Sequence, residues 1–434
     1  MPIEFRRPSG FTFARLLAAP AALSTILMLT ASARAEPPSV PLDPDGTLKF
    51  DGQFRPRLLV SSGRDFLGEV SAREYVTQRA RLGLTFEQDS GLAFTMRVQD
   101  VRIWGEETDT LNDFSADGFD VHEAFALIPA ADWLALRVGR QELILDDARL
   151  VGNVGWSQRG RSFDAVRGTF DFDPLTLDIF YAKVREAESY ADGHVADEVE
   201  DDIDFGGVHT SVVLAKGHAV SSLYLINANH GFNDSGDEHL RHTAGLFAKG
   251  GVGGFSYQAE GYYQFGRISD ARIAAYMGAA RLGYQLDVPG KPSALLWGEY
   301  LSGDGTPGGT FDTLYATNHK FYGEMDFFLS IPANTALLGL VDLGGQLGAS
   351  ASEDVKLNAD FHHLRSAESS QAGDNVFGNE IDFKVQWAAM EHVAVRALYG
   401  IFLPGDAIRA PKKYSQEVEL KPEHLGYLTL DVTL

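Results

Sequence analysis

RARLGLTFEQDSG, Arg79 to Gly91, is the stretch from which the fold can be read. Ala80, Leu82, Leu84 and Phe86 alternate with Arg79, Arg81 and Thr85. That alternation is the period of a β-strand, whose successive side chains point to opposite faces, so one face is apolar and the other charged. It stops at Gln88–Gly91, where Asp, Ser and Gly supply the short polar side chains and backbone freedom of a tight turn. Upstream, Phe50, Gly52, Phe54, Pro56 and Leu58 alternate with Lys49, Asp51, Gln53, Arg55 and Arg57. Downstream, Phe255, Tyr257, Ala259, Tyr263 and Phe265 oppose Ser256, Gln258, Glu260 and Gln264. Ile381, Phe383, Val385 and Trp387 oppose Glu380, Asp382, Lys384 and Gln386, and the last strand carries Leu428, Leu430, Val432 and Leu434 on one face.

A soluble sandwich alternates in the same way, and the connections separate the two folds. Short breaks fall near 88–91, 129–132, 172–174, 216–218, 250–253, 287–292, 349–353 and 388–391, and between them run longer connections such as 105–120, 185–204, 302–334 and 403–424. Eight short turns joining nine up-and-down pairs predict an all-β fold: a transmembrane antiparallel up-and-down β-barrel of about 18 strands. Its turns would be periplasmic, its long loops extracellular, and both termini would lie on the short-turn side. Phe321–Leu329 is strand-like but would make the count odd, and is placed in the long loop. Pro56 has no amide N–H to give a ladder, which predicts a bulge or a strand end there.

The 434 residues carry a formal net charge of −23 and no cysteine. Such acidity excludes nucleic acid as a partner, because phosphates require a basic surface. Without cysteine there is neither a disulfide framework nor a thiolate metal site. Residues 1–35 set Arg6, Arg7 and Arg15 before an apolar run, Leu16–Leu29, and end in Ala-Arg-Ala, as a secretory signal peptide does. Pro20 interrupts the run, which is too short to span a bilayer. Residues 36–47 are then a short periplasmic segment and residues 48–434 the barrel. With no later hydrophobic helix, strands alone could cross a membrane, which places the protein in the outer membrane of a Gram-negative bacterium.

The acidity belongs to the loops: 185–204 holds nine acids against one arginine, and 105–120 six acids and no base. These are solvated loops, or divalent-cation sites through Asp197, Glu198, Glu200, Asp201, Asp202 and Asp204. Arginine is uneven, with 15 of 26 between Arg55 and Arg185 and seven beyond, so one wall carries most of it. By parity Arg55, Arg57, Arg79, Arg81, Arg97, Arg137 and Arg167 face away from the apolar side, into the lumen. There they either select anions or pair with lumen acids such as Asp51, Asp100, Asp164, Asp171 and Asp178 and stiffen the wall. The connection after Gly139 carries Arg140, Glu142, Asp146, Asp147, Arg149, Arg159 and Arg161. A loop with charges of both signs can fold inward as a constriction or remain external, and the sequence leaves both open.

GRQELILDDARLVGNVGWSQRGRSFDAVR, Gly139 to Arg167, resembles the signature of the alginate export family of outer-membrane porins. YLSGDGTPGGTFDTLYATNHKFYGEMDFF, Tyr300 to Phe328, resembles a second family segment. The resemblance implies an 18-stranded barrel that passes acidic polysaccharide or related anionic solutes through an arginine-rich lumen. It implies a conduction role for Arg140, Arg149, Arg159, Arg161 and Arg167, with Asp146, Asp147 and Asp164 as their partners. The chain departs from many such barrels in ending on Leu434 and not on an aromatic residue.

No histidine cluster has metal-ligand spacing: His362 and His363 are adjacent and point to opposite faces of a strand, and His319 stands apart. His122 with Asp164, or His362 with Asp360, could form an acid–base pair in a barrel hydrolase. The Gly-rich run 302–309 lacks the lysine and helix of a phosphate-binding loop and reads as turns. The expectation is a passive, non-enzymatic channel without cofactor or metal. Its expected partners are outer-membrane lipid and lipopolysaccharide, an anionic polysaccharide or sugar acid, and a periplasmic export partner. A general porin for small nutrients, an outer-membrane hydrolase and a plugged structural barrel are the alternatives.

Overall fold

The computed structural model describes residues 38–42, 46–106, 118–186, 202–230, 238–369 and 375–434, so the signal peptide lies outside the described residues. A four-residue strand, β1 (Ser39–Leu42), pairs with the start of β2 (Gly46–Ser61). There follow β3 (Arg73–Gln88), β4 (Ala93–Ile103), β5 (Phe119–Ala131), β6 (Leu134–Gln141), β7 (Phe163–Asp171), β8 (Leu175–Arg185), β9 (Ile203–Ala215) and β10 (His218–His230). The second half is β11 (Glu238–Val252), β12 (Phe255–Ile268), β13 (Ala271–Gln285), β14 (Ser293–Leu301), β15 (Leu340–Ser350), β16 (Val355–Arg365), β17 (Val376–Met390), β18 (Val393–Pro404) and β19 (Glu423–Thr433). Each strand from β2 onward pairs antiparallel with the next, and β19 pairs with β2, closing an 18-strand barrel. Closure leaves no sheet edge in lipid. Among the described residues no helix is long and apolar enough to cross a membrane.

Eight short turns alternate with the longer connections, as the sequence predicts. One connection on the loop side is short, Ser269–Asp270 between β12 and β13. Phe321–Leu329 lies in the loop between β14 and β15. Pro56 is at neither a bulge nor a strand end: it sits mid-strand opposite Gln78. The ladder to β19 is interrupted there, between Thr429↔Arg57 and Val432↔Phe54, at unchanged register. The seam tolerates the missing N–H because no bond is made at that point.

Facing follows alternation. Leu82 is 65% exposed and Arg79 3%, so the apolar side chains point out and the arginines in. Outward aromatic side chains gather at both rims, where amphipathic rings suit the interface. Trp133, Phe170 and Phe172 stack at the turn end, and His242 stacks on Phe265 toward the loop end, with Tyr224 beside it at mid-strand.

The interior is not a hollow tube. Leu143, Leu150, Val151, Phe311, Phe321 and Tyr322, all from loops, are at most 2% exposed and form a dry core with inward wall residues such as Phe205 and Leu225. The barrel's apolar core is thus built from its own connections, and of the two placements the sequence leaves open for the charged loop after Gly139, the inward one is taken.

Candidate functional site

Two connections enter the barrel and join. Residues 142–162 and 302–339 meet at a parallel bridge, Val151↔Tyr315. Tyr315 N–H donates to Leu150 O at 2.9 Å, Gly152 N–H to Tyr315 O at 2.9 Å and Thr317 N–H to Ala148 O at 2.9 Å. Arg161 staples the pair by donating to the carbonyls of Gly152, Tyr315 and Ala316. Each loop thereby satisfies backbone groups that the other buries.

The basic wall grips the first loop by its carbonyls. Arg55 donates to Gly155 O at 2.8 Å, Trp156 O at 3.1 Å and Ser157 O at 2.9 Å. Arg79 donates to Ser157 O at 3.1 Å, and Arg57 to Trp156 O at 2.9 Å. These three arginines are 3–5% exposed, so the loop, and not a solute, occupies their donors. Arg81 and Gln99 both donate to Arg159 O, at 3.1 and 2.9 Å. Arg97 pairs with Asp51, at 3.0 Å, and with Glu123. Asp51 reaches it by crossing Gly83, where a Cβ would lie 2.2 Å from the carboxylate. Arg167 is held bidentately by Asp178, at 2.9 and 2.8 Å. Arg137 lies over the Phe125 ring at 4.7 Å, and Arg159 is exposed.

The far wall is acidic, and Arg149 bridges to it. Its guanidinium donates to Glu299 at 2.7 and 2.8 Å, to Glu260 at 3.1 Å and to Tyr322 Oη at 3.1 Å, and Phe321 covers it at 3.6 Å. It is 1% exposed. Burial alone would lower its pKa, but the carboxylates of Glu299 and Glu260 outweigh that and hold it well above the ordinary arginine value. Glu260, Glu299, Asp342, Asp360, Glu380 and Asp382 all face inward and are buried. The lumen is therefore polarised across its width, basic on β2–β7 and acidic on β12–β17.

Four expected residues have other roles. Arg140 and Asp164 do not face the lumen: they pair on the outer surface at 3.2 Å, with Asp164 64% exposed. Parity explains it, since Arg140 continues the outward face of Leu134, Leu136 and Val138. Asp146 and Asp147 partner no arginine. Asp146 accepts from His209 at 2.9 Å and Ser221 at 2.5 Å, and Asp147 from Lys320 and from Gln258 at 3.1 Å. Of the expected lumen acids, Asp51 and Asp178 pair with the lumen arginines Arg97 and Arg167, while Asp100 accepts from Arg102 of its own strand at 2.8 Å. The histidines form neither expected acid–base pair. His122 bonds Glu142 at 2.7 Å and Ser162 at 3.2 Å, and His362 bonds Asp342 at 2.8 Å. Among the described residues no group of His, Asp and Glu could hold a metal; Asp197, Glu198, Glu200 and Asp201 lie outside them.

The sequence of this barrel matches the alginate export family profile over residues 47–419. The chain belongs to the alginate export family. Its fold is that of outer-membrane porins. OpdO of Pseudomonas aeruginosa superposes with a TM-score of 0.62 at 11% identity over 89% of this chain and 97% of that one. OccK5 (OpdH) of the same organism gives 0.58 at 13% identity, covering 89% and 98%. OccAB4 of Acinetobacter baumannii gives 0.59 at 11% identity, covering 90% and 98%. No curated protein sequence matches the chain. It is an outer-membrane channel of a Gram-negative bacterium. In this member of the family, the two segments that carry the sequence resemblance are the two that zip together in the lumen.

Trp156 and His319 join the zipper to the walls. Their rings stack at 4.1 Å and 5°, and Arg57 covers the other indole face at 3.5 Å. Burial would lower the pKa of His319, but Asp326 at 2.7 Å and Glu324 at 3.1 Å push it up to about 9. A folded value above the unfolded 6.5 stabilises fully below pH 6.5 and is lost as pH rises through about 9. Alkaline titration is therefore expected to loosen the 302–339 loop, read as faster proteolysis within it. His319→Gln should remove that step; a step unchanged by the substitution would assign it to another group.

Proposed function

We propose that the channel passes anionic sugars or acidic polysaccharide passively across the outer membrane. The observation that carries this is a set of three lumen cations left free. Arg137, Lys249 and Arg396 each stand three residues from the turn end of their strands, at Leu134, Val252 and Val393. Among the described residues none of the three side chains makes an ion pair or hydrogen bond; Arg137 and Lys249 rest only on the rings of Phe125 and Phe247. Spread over β6, β11 and β18, they surround the path below the zippered loops. Unpaired cations in a low-dielectric channel concentrate anions, and the guanidinium fork matches carboxylate. Lipopolysaccharide around the barrel and a periplasmic export partner at its turn side complete the proposal.

Replacing the three by glutamine should lower the anion-over-cation permeability ratio by about tenfold, the lower end of what focused fields supply. Reversal potentials in unequal salt measure it, and an unchanged ratio would discard the anionic reading. Block of the current by a soluble polyanion separates polymer passage from a general porin for small nutrients.

A further inference from the structure

We propose that Glu380 and Asp382 form a proton-operated latch, closed by one proton shared between their carboxyls and opened by its loss. The inference rests on the barrel being a channel. Both residues face inward from β17, two positions apart, and both are 0% exposed. Glu380 Oε1 accepts from Met325 N–H at 2.8 Å. Glu380 Oε2 and both oxygens of Asp382 have no hydrogen-bond partner. As residues i and i+2 of one strand they share a face, and both lie against Met325, whose N–H reaches Glu380 and whose side chain shares the space over Gly400 with the Asp382 carboxyl. As two carboxylates they are adjacent acceptors with no donor between them, in a dry site where an unpaired charge is very costly. One proton turns the clash into an O–H···O bond.

Among the described residues no cation bonds to the pair in place of that proton. Lys384 is taken by Glu324 at 2.9 Å and Asp360 at 2.5 Å, and His362 on β16 by Asp342 of β15 at 2.8 Å. His319 is taken by Glu324 and Asp326 of its own loop. Arg396 on β18 makes no bond to the pair, and Tyr427 on β19 donates to Glu324 at 3.4 Å.

The pair lies directly under the 302–339 loop. Gly323, with φ +91°, passes so close that a Cβ would be 2.4 Å from Glu380 Oε1. At Gly400 the missing Cβ makes room for both Met325 and Asp382. Residues 323–325 therefore rest on both carboxyls. Once both are ionised, they repel each other and Glu324 and must be hydrated, and water can enter only by lifting that segment.

The test uses the full barrel in a planar bilayer, scanned from about pH 5 to about pH 8, above ordinary carboxylate titration and below that of His319. The open fraction of the unmodified channel should rise in one step, by up to about tenfold per pH unit, the limit for a single proton. Glu380→Gln puts an amide donor in the proton's place and should remain closed throughout, and Asp382→Asn should do the same. His319→Gln should leave this step in place. A step that survives both carboxyl substitutions overturns the latch, as does steady conduction at every pH. If the folded barrel conducts at no pH, the channel reading fails, and infrared spectroscopy decides the latch alone. A protonated carboxyl C=O band that Glu380→Gln removes sustains it, and absence of the band overturns it.

Discussion

Arg149→Met is expected to free the first lumen loop and to lower stability by about 3–5 kcal/mol, the cost of leaving a buried charge without its partner. Two carboxylates, Glu260 and Glu299, would lose the guanidinium they close on at 3.1 and 2.7 Å. Arg281 also reaches Glu299, at 2.7 Å, but Glu260 has no second cation. The loop should then leave the acidic wall. Single-channel conductance should rise toward that of an unobstructed barrel, and the urea unfolding midpoint should fall. Adding Glu260→Gln and Glu299→Gln should restore much of the stability, because the penalty lies in the stranded charges. Unchanged conductance in the folded Arg149→Met barrel would mean the loop does not obstruct the path.

Trp156→Ala should produce the second-largest effect, about 3–5 kcal/mol for removing a packed indole. It abolishes the Arg57–Trp156–His319 stack and the Tyr427 contact at 4.6 Å in one change. Three elements then lose their common contact: β2, β19 and the second loop. Protease cleavage within 142–162 should accelerate while the barrel stays heat-modifiable, as closed barrels are. Cleavage at the unmodified rate would place the hold on the loop in the Arg55 and Arg79 hydrogen bonds alone.

Much of this architecture is legible in local sequence. Alternation at Phe50–Leu58 and Arg79–Phe86 gives the strands, and the turn spacing gives their number, because both depend on neighbours in the chain. Facing follows from the same parity, and it also places Arg140 and Asp164 outside; Arg140 misleads when counted with the loop, and Asp164 when counted among the lumen acids. The acidic wall is visible in the same way, since Glu260, Glu380 and Asp382 sit opposite apolar neighbours. The zipper is not legible. Arg149 meets partners 111 and 150 residues away, and nothing local to GNVGWSQRG indicates that wall arginines will take its carbonyls. Charges of both signs in one loop signal pairing without naming the partner. The free cations Lys249 and Arg396 carry no motif; only the finished ledger of ion pairs singles them out.

The joined loops can be tested directly because the chain has no cysteine of its own. A Cβ at Gly152 would lie 3.3 Å from Thr317 Cβ and 2.6 Å from Ala148 Cβ. Gly152→Cys with Thr317→Cys therefore approaches disulfide spacing. Ala148→Gly clears the contact, at a residue whose φ of +63° suits glycine. The measurement is bilayer conductance of the triple variant before and after reduction. The expected result is complete disulfide formation, with conductance low at every pH until reductant restores opening. Free, reactive thiols at both positions, or an oxidised barrel that conducts like the reduced one, would contradict loops that join across the lumen and close it.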